Sequence, residues 1–145
     1  MTKTRPAHAA RIPEARDRIR AADERLTGPR AAVLAMLLAS RQALTHHDIE
    51  TALKGRDAVD RVTVYRVLEW LVGIGLAHRI PGEDRTWRFH ASLKAGVPHA
   101  HFTCLQCGKT VCLDDVAVPR RVKVPKGYLP REAQFNITGL CASCH

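Results

Sequence analysis

Two matched cysteine pairs constrain this chain more than any other feature: Cys104-Leu105-Gln106-Cys107 and Cys141-Ala142-Ser143-Cys144. A Cys-x-x-Cys pair suits a tight knuckle with both sulfurs turned to one centre, and two knuckles complete the tetrahedron that zinc takes in a structural site. Gly108, directly after the second thiol, permits the backbone conformation a knuckle needs. The same residues can also be read as two disulfides or as a redox pair. A chain with no secretory signal disfavours disulfides, and the repeated spacing favours metal over redox chemistry. The expectation is a structural zinc site of Cys104, Cys107, Cys141 and Cys144, with no open position for a reacting water.

A chain of 145 residues holds one ordinary domain or two small ones. Small halves bury little apolar surface, so a zinc staple or a dimer interface is expected to help them. Lys and Arg number 23 against 14 acids, a net charge of +9, which points to a polyanionic partner. No apolar run reaches the roughly 18 residues that a membrane span needs, and the N-terminus has charge without an apolar core. Five cysteines, an odd number, fit a reducing compartment, so a soluble cytoplasmic protein is expected.

Residues 1–12 are polar, basic and aperiodic, and read as a mobile arm. Pro13-Glu14 suits the opening of a helix to about Leu26 that carries Arg16, Arg18, Arg20 and Arg25. Those arginines fit phosphate contacts and a solvated face equally well. Thr27-Gly28-Pro29 reads as a break, followed by an apolar helix from Arg30 to Ser40. Thr45-His46-His47-Asp48 resembles a capping box ahead of Ile49 and Leu53, with both histidines serving only the helix start. Asp60 suits the cap of a helix from Arg61 to about Gly73, with Val64, Val67, Leu68 and Leu71 on one side and Tyr65 and Arg66 opposite. Either a recognition helix or an ordinary amphipathic helix has this pattern. Leu76–Ile80 and Arg85–His90 read as strands joined by Pro81-Gly82-Glu83-Asp84, and three helices followed by a hairpin make a winged helix-turn-helix.

The expected organisation is α+β: a winged-helix DNA-binding domain over 1–84, a hinge over 85–98, and a small zinc-stapled α/β dimerisation domain over 99–145. Strands are expected at His101–Cys104, Thr110–Leu113 and Phe135–Thr138.

Eight histidines are present, and four of them sit where strands can gather them: His78, His90, His99 and His101. Imidazole nitrogens suit Zn²⁺ or Ni²⁺ better than a hard, oxygen-seeking cation. Because His78 and His90 belong to the first domain or hinge, a regulatory metal there would couple domain orientation to metal supply. Each histidine alone also has a plain structural reading. Cys112, the leftover thiol, fits either a small buried residue or a soft ligand beside that second metal. Catalysis lacks its parts: there is no His-x-Glu ahead of the cysteines, no His-Glu-x-x-His, no phosphate loop and no nucleophile elbow. Neither an enzyme nor a binder of small organic substrates is expected.

The segments Leu26-Thr27-Gly28-Pro29-Arg30, Thr63-Val64-Tyr65-Arg66-Val67-Leu68, Gly75-Leu76-Ala77-His78, His99 through Lys109 and Gly139 through Cys144 together resemble the ferric uptake regulator (Fur) superfamily, over about residues 26–145. The resemblance implies a homodimeric, metal-dependent repressor of operator DNA: a winged-helix domain, a hinge, and a dimerisation domain with structural zinc. A regulatory metal between the domains would bring the two DNA-binding domains into register. Tyr65 and Arg66 match the family's DNA-contacting Tyr-Arg, and the expected DNA-binding set is Arg30, Arg61, Thr63, Tyr65 and Arg66. The sensor site carries over onto His78, His90, His99 and His101, with Cys112 nearby.

The chain departs from the family pattern in two places. A further metal site would use positions held here by Pro98, Ala100, Cys112 and Ala133, so that site is expected to be absent. Iron-responsive members tend to place Glu where His90 stands. Zinc regulation is therefore the first expectation, nickel the second and iron the third, with a winged-helix protein carrying structural zinc alone as the rival. The family's long dimer-interface helix would fall between Cys112 and Gly139, where Pro119, Pro125 and Pro130 break helical hydrogen bonding. That helix is expected to be short or missing. The basic residues of the segment, Arg120, Arg121, Lys123 and Lys126, suit solvent better than DNA.

Overall fold

The computed structural model describes residues 7–22, 24–54, 59–82, 84–92, 100–113, 116, 118–119, 122–130, 133 and 135–145. The chain divides into two compact units, Met1–Ala95 and Gly96–His145.

The first unit opens with a 3-10 turn, Ala7–Arg11, followed by α1 (Ile12–Ala21), α2 (Gly28–Ala39), β1 (Leu44–Thr45), α3 (His46–Leu53), α4 (Arg61–Gly73), β2 (Ala77–Pro81) and β3 (Trp87–Ala91). The expected mobile arm is corrected over residues 7–12: the turn packs against α2, and His8 is buried. Residues 1–6 lie outside the described ones. Helix α1 stops at Ala21, earlier than its charge pattern suggests, and Leu26 leaves the helix to pack against the core. Thr27-Gly28-Pro29 is a helix start: Thr27 Oγ1 accepts from the Arg30 amide at 3.3 Å, and Pro29 occupies the first turn, where its missing N–H costs nothing.

Caps define the next two helices as their sequences predict. Thr45 Oγ1 accepts from the Asp48 amide at 3.1 Å while Asp48 Oδ2 accepts from the Thr45 amide at 2.9 Å, a complete capping box. Asp60 Oδ1 accepts from the Thr63 amide at 2.7 Å. On α4, Val64, Val67, Leu68 and Leu71 are buried against Leu34, Leu37, Ile49 and Leu53 in one apolar cluster. The sheet beneath is β1-β3-β2, antiparallel throughout, with Leu44 opposite Phe89 and His78 opposite His90. Residues 87–91, inside the stretch expected as hinge, are thus β3, the central strand of this sheet. Phe89, His90 and Ala91 are all buried there, which a solvated hinge could not provide.

The second unit is a three-stranded sheet of β4 (Ala100–Cys104), β5 (Thr110–Leu113) and β6 (Phe135–Gly139), in the order β5-β4-β6. Strands β4 and β5 pair antiparallel across the knuckle, whereas β4 and β6 run parallel. Among the described residues between β5 and β6 there is neither helix nor strand, in keeping with the prolines at 119, 125 and 130. Lys123 and Lys126 are exposed, and Arg120 and Arg121 lie outside the described residues. The large apolar cluster belongs wholly to the first unit. In the second, the buried described residues are only Ala100, His101, Thr103, Cys104 and Thr110, with the two threonine hydroxyls paired at 3.2 Å.

Candidate metal centre and nucleic-acid interface

Parallel pairing builds the cysteine site. Opposite Cys104 at the end of β4 stands Gly139 at the end of β6, and the Leu105 amide continues the ladder by donating to the Gly139 carbonyl at 2.8 Å. Cys141 follows two residues later, beside the first knuckle. That knuckle closes through the Gly108 amide donating to the Cys104 carbonyl at 2.9 Å, with Gly108 at φ +77°, where a side chain would be strained. The second closes through the Cys144 amide donating to the Cys141 carbonyl at 2.9 Å. The four Sγ atoms of Cys104, Cys107, Cys141 and Cys144 all lie within 4.8 Å of one another.

The donor set fits zinc. Sulfurs at about 2.3 Å from a central zinc form a tetrahedron with edges of about 3.8 Å, and the Cys107 and Cys141 Sγ atoms are 3.8 Å apart. The protonation pattern agrees. The Cys104 thiol is lowered to about 6, chiefly by the Cys107 backbone amide and then by that of Cys141. Cys141 is also lowered, first by the Ser143 amide. Cys144 is raised to about 12, mainly by its hydrogen bond to Cys141 and then by burial. Thiols this close cannot all ionise on their own, and a dication at their centre removes that repulsion.

Each unit also carries a cross-strand pair of potential metal donors. In the first, His78 and His90 face each other across β2 and β3, with ring centroids 5.7 Å apart. His90 Nδ1 lies 3.1 Å from the Ala91 carbonyl, which can only accept, so Nδ1 holds the proton and Nε2 the lone pair. A backbone carbonyl commonly orients a ligating histidine in this way. His78 Nδ1 lies 3.2 Å from Ser92 Oγ. In the second unit, His101 and Cys112 are opposed across β4 and β5, His101 being buried. The fourth histidine of the expected set, His99, lies outside the described residues.

On α4 the side away from the core presents Arg61, Val62, Tyr65, Arg66 and Glu69 to solvent, with Thr63 half-buried beside them. Of the other basic residues, Arg16, Arg20 and Arg25 are exposed. Arg18 instead turns inward, donating to the Ser92 carbonyl at 2.9 Å and pairing with Glu14 at 3.0 Å. Arg30 lies with its guanidinium 3.8 Å from the centroid of the Trp70 ring and donates to the Arg25 carbonyl at 2.6 Å, which ties α2 to α4. His46 is the residue that sequence reasoning missed. Its ring stacks on Tyr65, a contact between α3 and α4 that has no periodic signal in the chain.

A model of the ferric uptake regulator family matches residues 21–134. The chain belongs to the ferric uptake regulator family. It is similar to the transcriptional regulator FurA of Mycobacterium tuberculosis, 31% identical over 136 residues that cover 92% of this chain and 91% of FurA. It is also similar to the zinc uptake regulation protein of Escherichia coli, 27% identical over 124 residues, covering 83% of this chain and 72% of that one. Among solved structures, a zinc uptake regulator complexed with zinc and DNA shares the fold at a TM-score of 0.68, with 18% identity and coverage of 96% and 95%. As a ferric uptake regulator family member, the chain is a metal-responsive transcriptional regulator and not an enzyme. No helix among the described residues is long and apolar enough to cross a membrane.

Proposed function

We propose that this chain is a cytoplasmic homodimeric repressor that binds operator DNA when zinc fills a regulatory site of His78, His90, His99 and His101, with Cys112 beside it. The structural ion, also zinc, is held by Cys104, Cys107, Cys141 and Cys144. The observation that carries the sensor reading is the His78–His90 pair, two imidazoles opposed across β2 and β3, with His90 Nδ1–H donating to the Ala91 carbonyl as the backbone commonly orients a ligating histidine. Nitrogen donors with a thiol near them favour zinc over a hard cation. The proposed ligands come from both units, so filling the site selects one arrangement of the two.

Exposed α4 supports the DNA reading, with Tyr65 and Arg66 at base edges and Arg61, Thr63 and Arg30 at phosphates. The dimer reading is supported by large apolar side chains on the second unit's surface, among them Tyr128, Leu129, Ile137 and Leu140.

The test is DNA affinity at buffered free Zn²⁺, Ni²⁺, Fe²⁺ and Mn²⁺, using a duplex selected by the protein from a randomised pool with its structural zinc retained. The expected result is that Zn²⁺ switches binding on at the lowest free concentration and that the double variant His78→Ala/His90→Ala loses the switch. A nickel or iron response at lower activity reassigns the metal. Equal affinity with every metal and with none leaves a winged-helix protein that carries structural zinc only.

A further inference from the structure

We propose that His46 is a positioning residue for sequence reading by Tyr65, an inference that rests on reading α4 as the DNA-recognition helix. His46 is the first residue of α3, directly after the Thr45 cap, yet its side chain crosses to α4. The His46 and Tyr65 rings lie with centroids 3.7 Å apart and planes inclined by only 20°. His46 Nε2 is 3.1 Å from the Arg61 carbonyl, and because a carbonyl only accepts, Nε2 carries the proton and donates it. Glu50, one turn along α3, brings Oε2 to 3.9 Å from Nδ1. The imidazole is thus held by the first residue of α4 at one edge and flanked by an acid at the other.

Burial is divided in a telling way. The His46 side chain is only 12% exposed, whereas Tyr65 keeps 47% exposure. One face of the Tyr65 ring is covered by protein, and the rest of the side chain stays on the surface that would meet DNA. An exposed tyrosine without such a backstop loses rotamer freedom when it docks, while a stacked one has lost it beforehand, so more of its contact appears as affinity. Position 46 therefore needs a flat ring first and an N–H donor second. His47, the next residue, is exposed.

The experiment is a double-mutant cycle on the zinc-loaded full chain, read by fluorescence anisotropy. The probes are a duplex selected by the wild-type protein from a randomised pool and an unselected duplex at the same salt. Stacking of this kind predicts that His46→Ala weakens the selected duplex by about fivefold and the unselected one by less than about twofold. His46→Phe, which keeps the ring, restores most of the loss, and His46→Gln, which keeps a donor alone, does not. In a Tyr65→Ala background His46→Ala then costs nothing more. An equal cost in both backgrounds makes His46 a purely structural residue and overturns the proposal. So does a His46→Gln variant that binds better than His46→Phe, a comparison that still decides the matter if the alanine variant fails to fold. If Tyr65→Ala alone has no effect, the recognition-helix reading itself falls, which is a separate result from a Tyr65 that matters without help from His46.

Discussion

Single residues at the start of α4 bear on its stability and, under the proposed function, on the reading of DNA. Arg66 is exposed one position beyond Tyr65, and a bidentate contact to guanine is worth about 1–3 kcal/mol of discrimination. Arg66→Ala is expected to weaken the selected duplex by that amount and to flatten its preference over single-base variants, as a competition titration would show. Asp60 acts on the helix itself. Its carboxyl is held below the ordinary aspartate range, first by the Thr63 backbone amide, then by the Thr63 hydroxyl, with the Arg66 charge adding to both. A depressed acid contributes stability above its unfolded value and loses it as pH falls through the folded value. Acidification below the usual carboxylate range should therefore loosen the first turn of α4. Asp60→Asn, which still caps but cannot titrate there, should remove that part of the acid sensitivity, and exchange of the Thr63 amide against pH measures it.

Elements show which features a linear pattern can reveal. The spacing of Val64, Val67, Leu68 and Leu71 predicts the buried face of α4, and the two Cys-x-x-Cys pairs predict the clustering of four sulfurs. Both are local periodicities, and local periodicity survives folding. The arm over 7–12 was not legible, because what orders it is packing against α2, a non-local contact with no periodic signal in the arm itself. The His46–Tyr65 stack was hidden for a similar reason: it depends on how α3 packs against α4. His90 was readable as a donor, but the Ala91 carbonyl that fixes its tautomer was not. Leu68 tests the element directly, being fully buried in the apolar cluster. Leu68→Ala is expected to cost about 2–5 kcal/mol in denaturant unfolding of the first unit. The cysteine cluster, in the other unit, should keep its metal stoichiometry.

At the scale of the whole molecule, stability is unevenly shared. Among the described residues, the first unit has an extensive apolar core, while the second buries only a few small or polar side chains and leaves several larger apolar ones exposed. A unit of that kind is expected to depend on the metal and the partner subunit of the proposed function. Chelating the structural ion should dissolve the β5-β4-β6 sheet and leave the helices intact, so that circular dichroism keeps its helical signal while proteolysis cuts beyond residue 95. Equal loss of both would show that the first unit cannot stand without the second. The parallel pairing of β4 with β6 has a consequence of another kind. A slip of one residue turns every side chain of a strand to the opposite face, and here it would also carry Cys141 out of step with Cys104. Only one alignment assembles all four sulfurs, so an ion bound by them would proofread the register of the sheet. The history of loading then matters. Chains refolded with zinc present should reach full metal content, whereas chains refolded first and supplied with zinc afterwards should retain a misaligned, metal-poor fraction that native mass spectrometry can count.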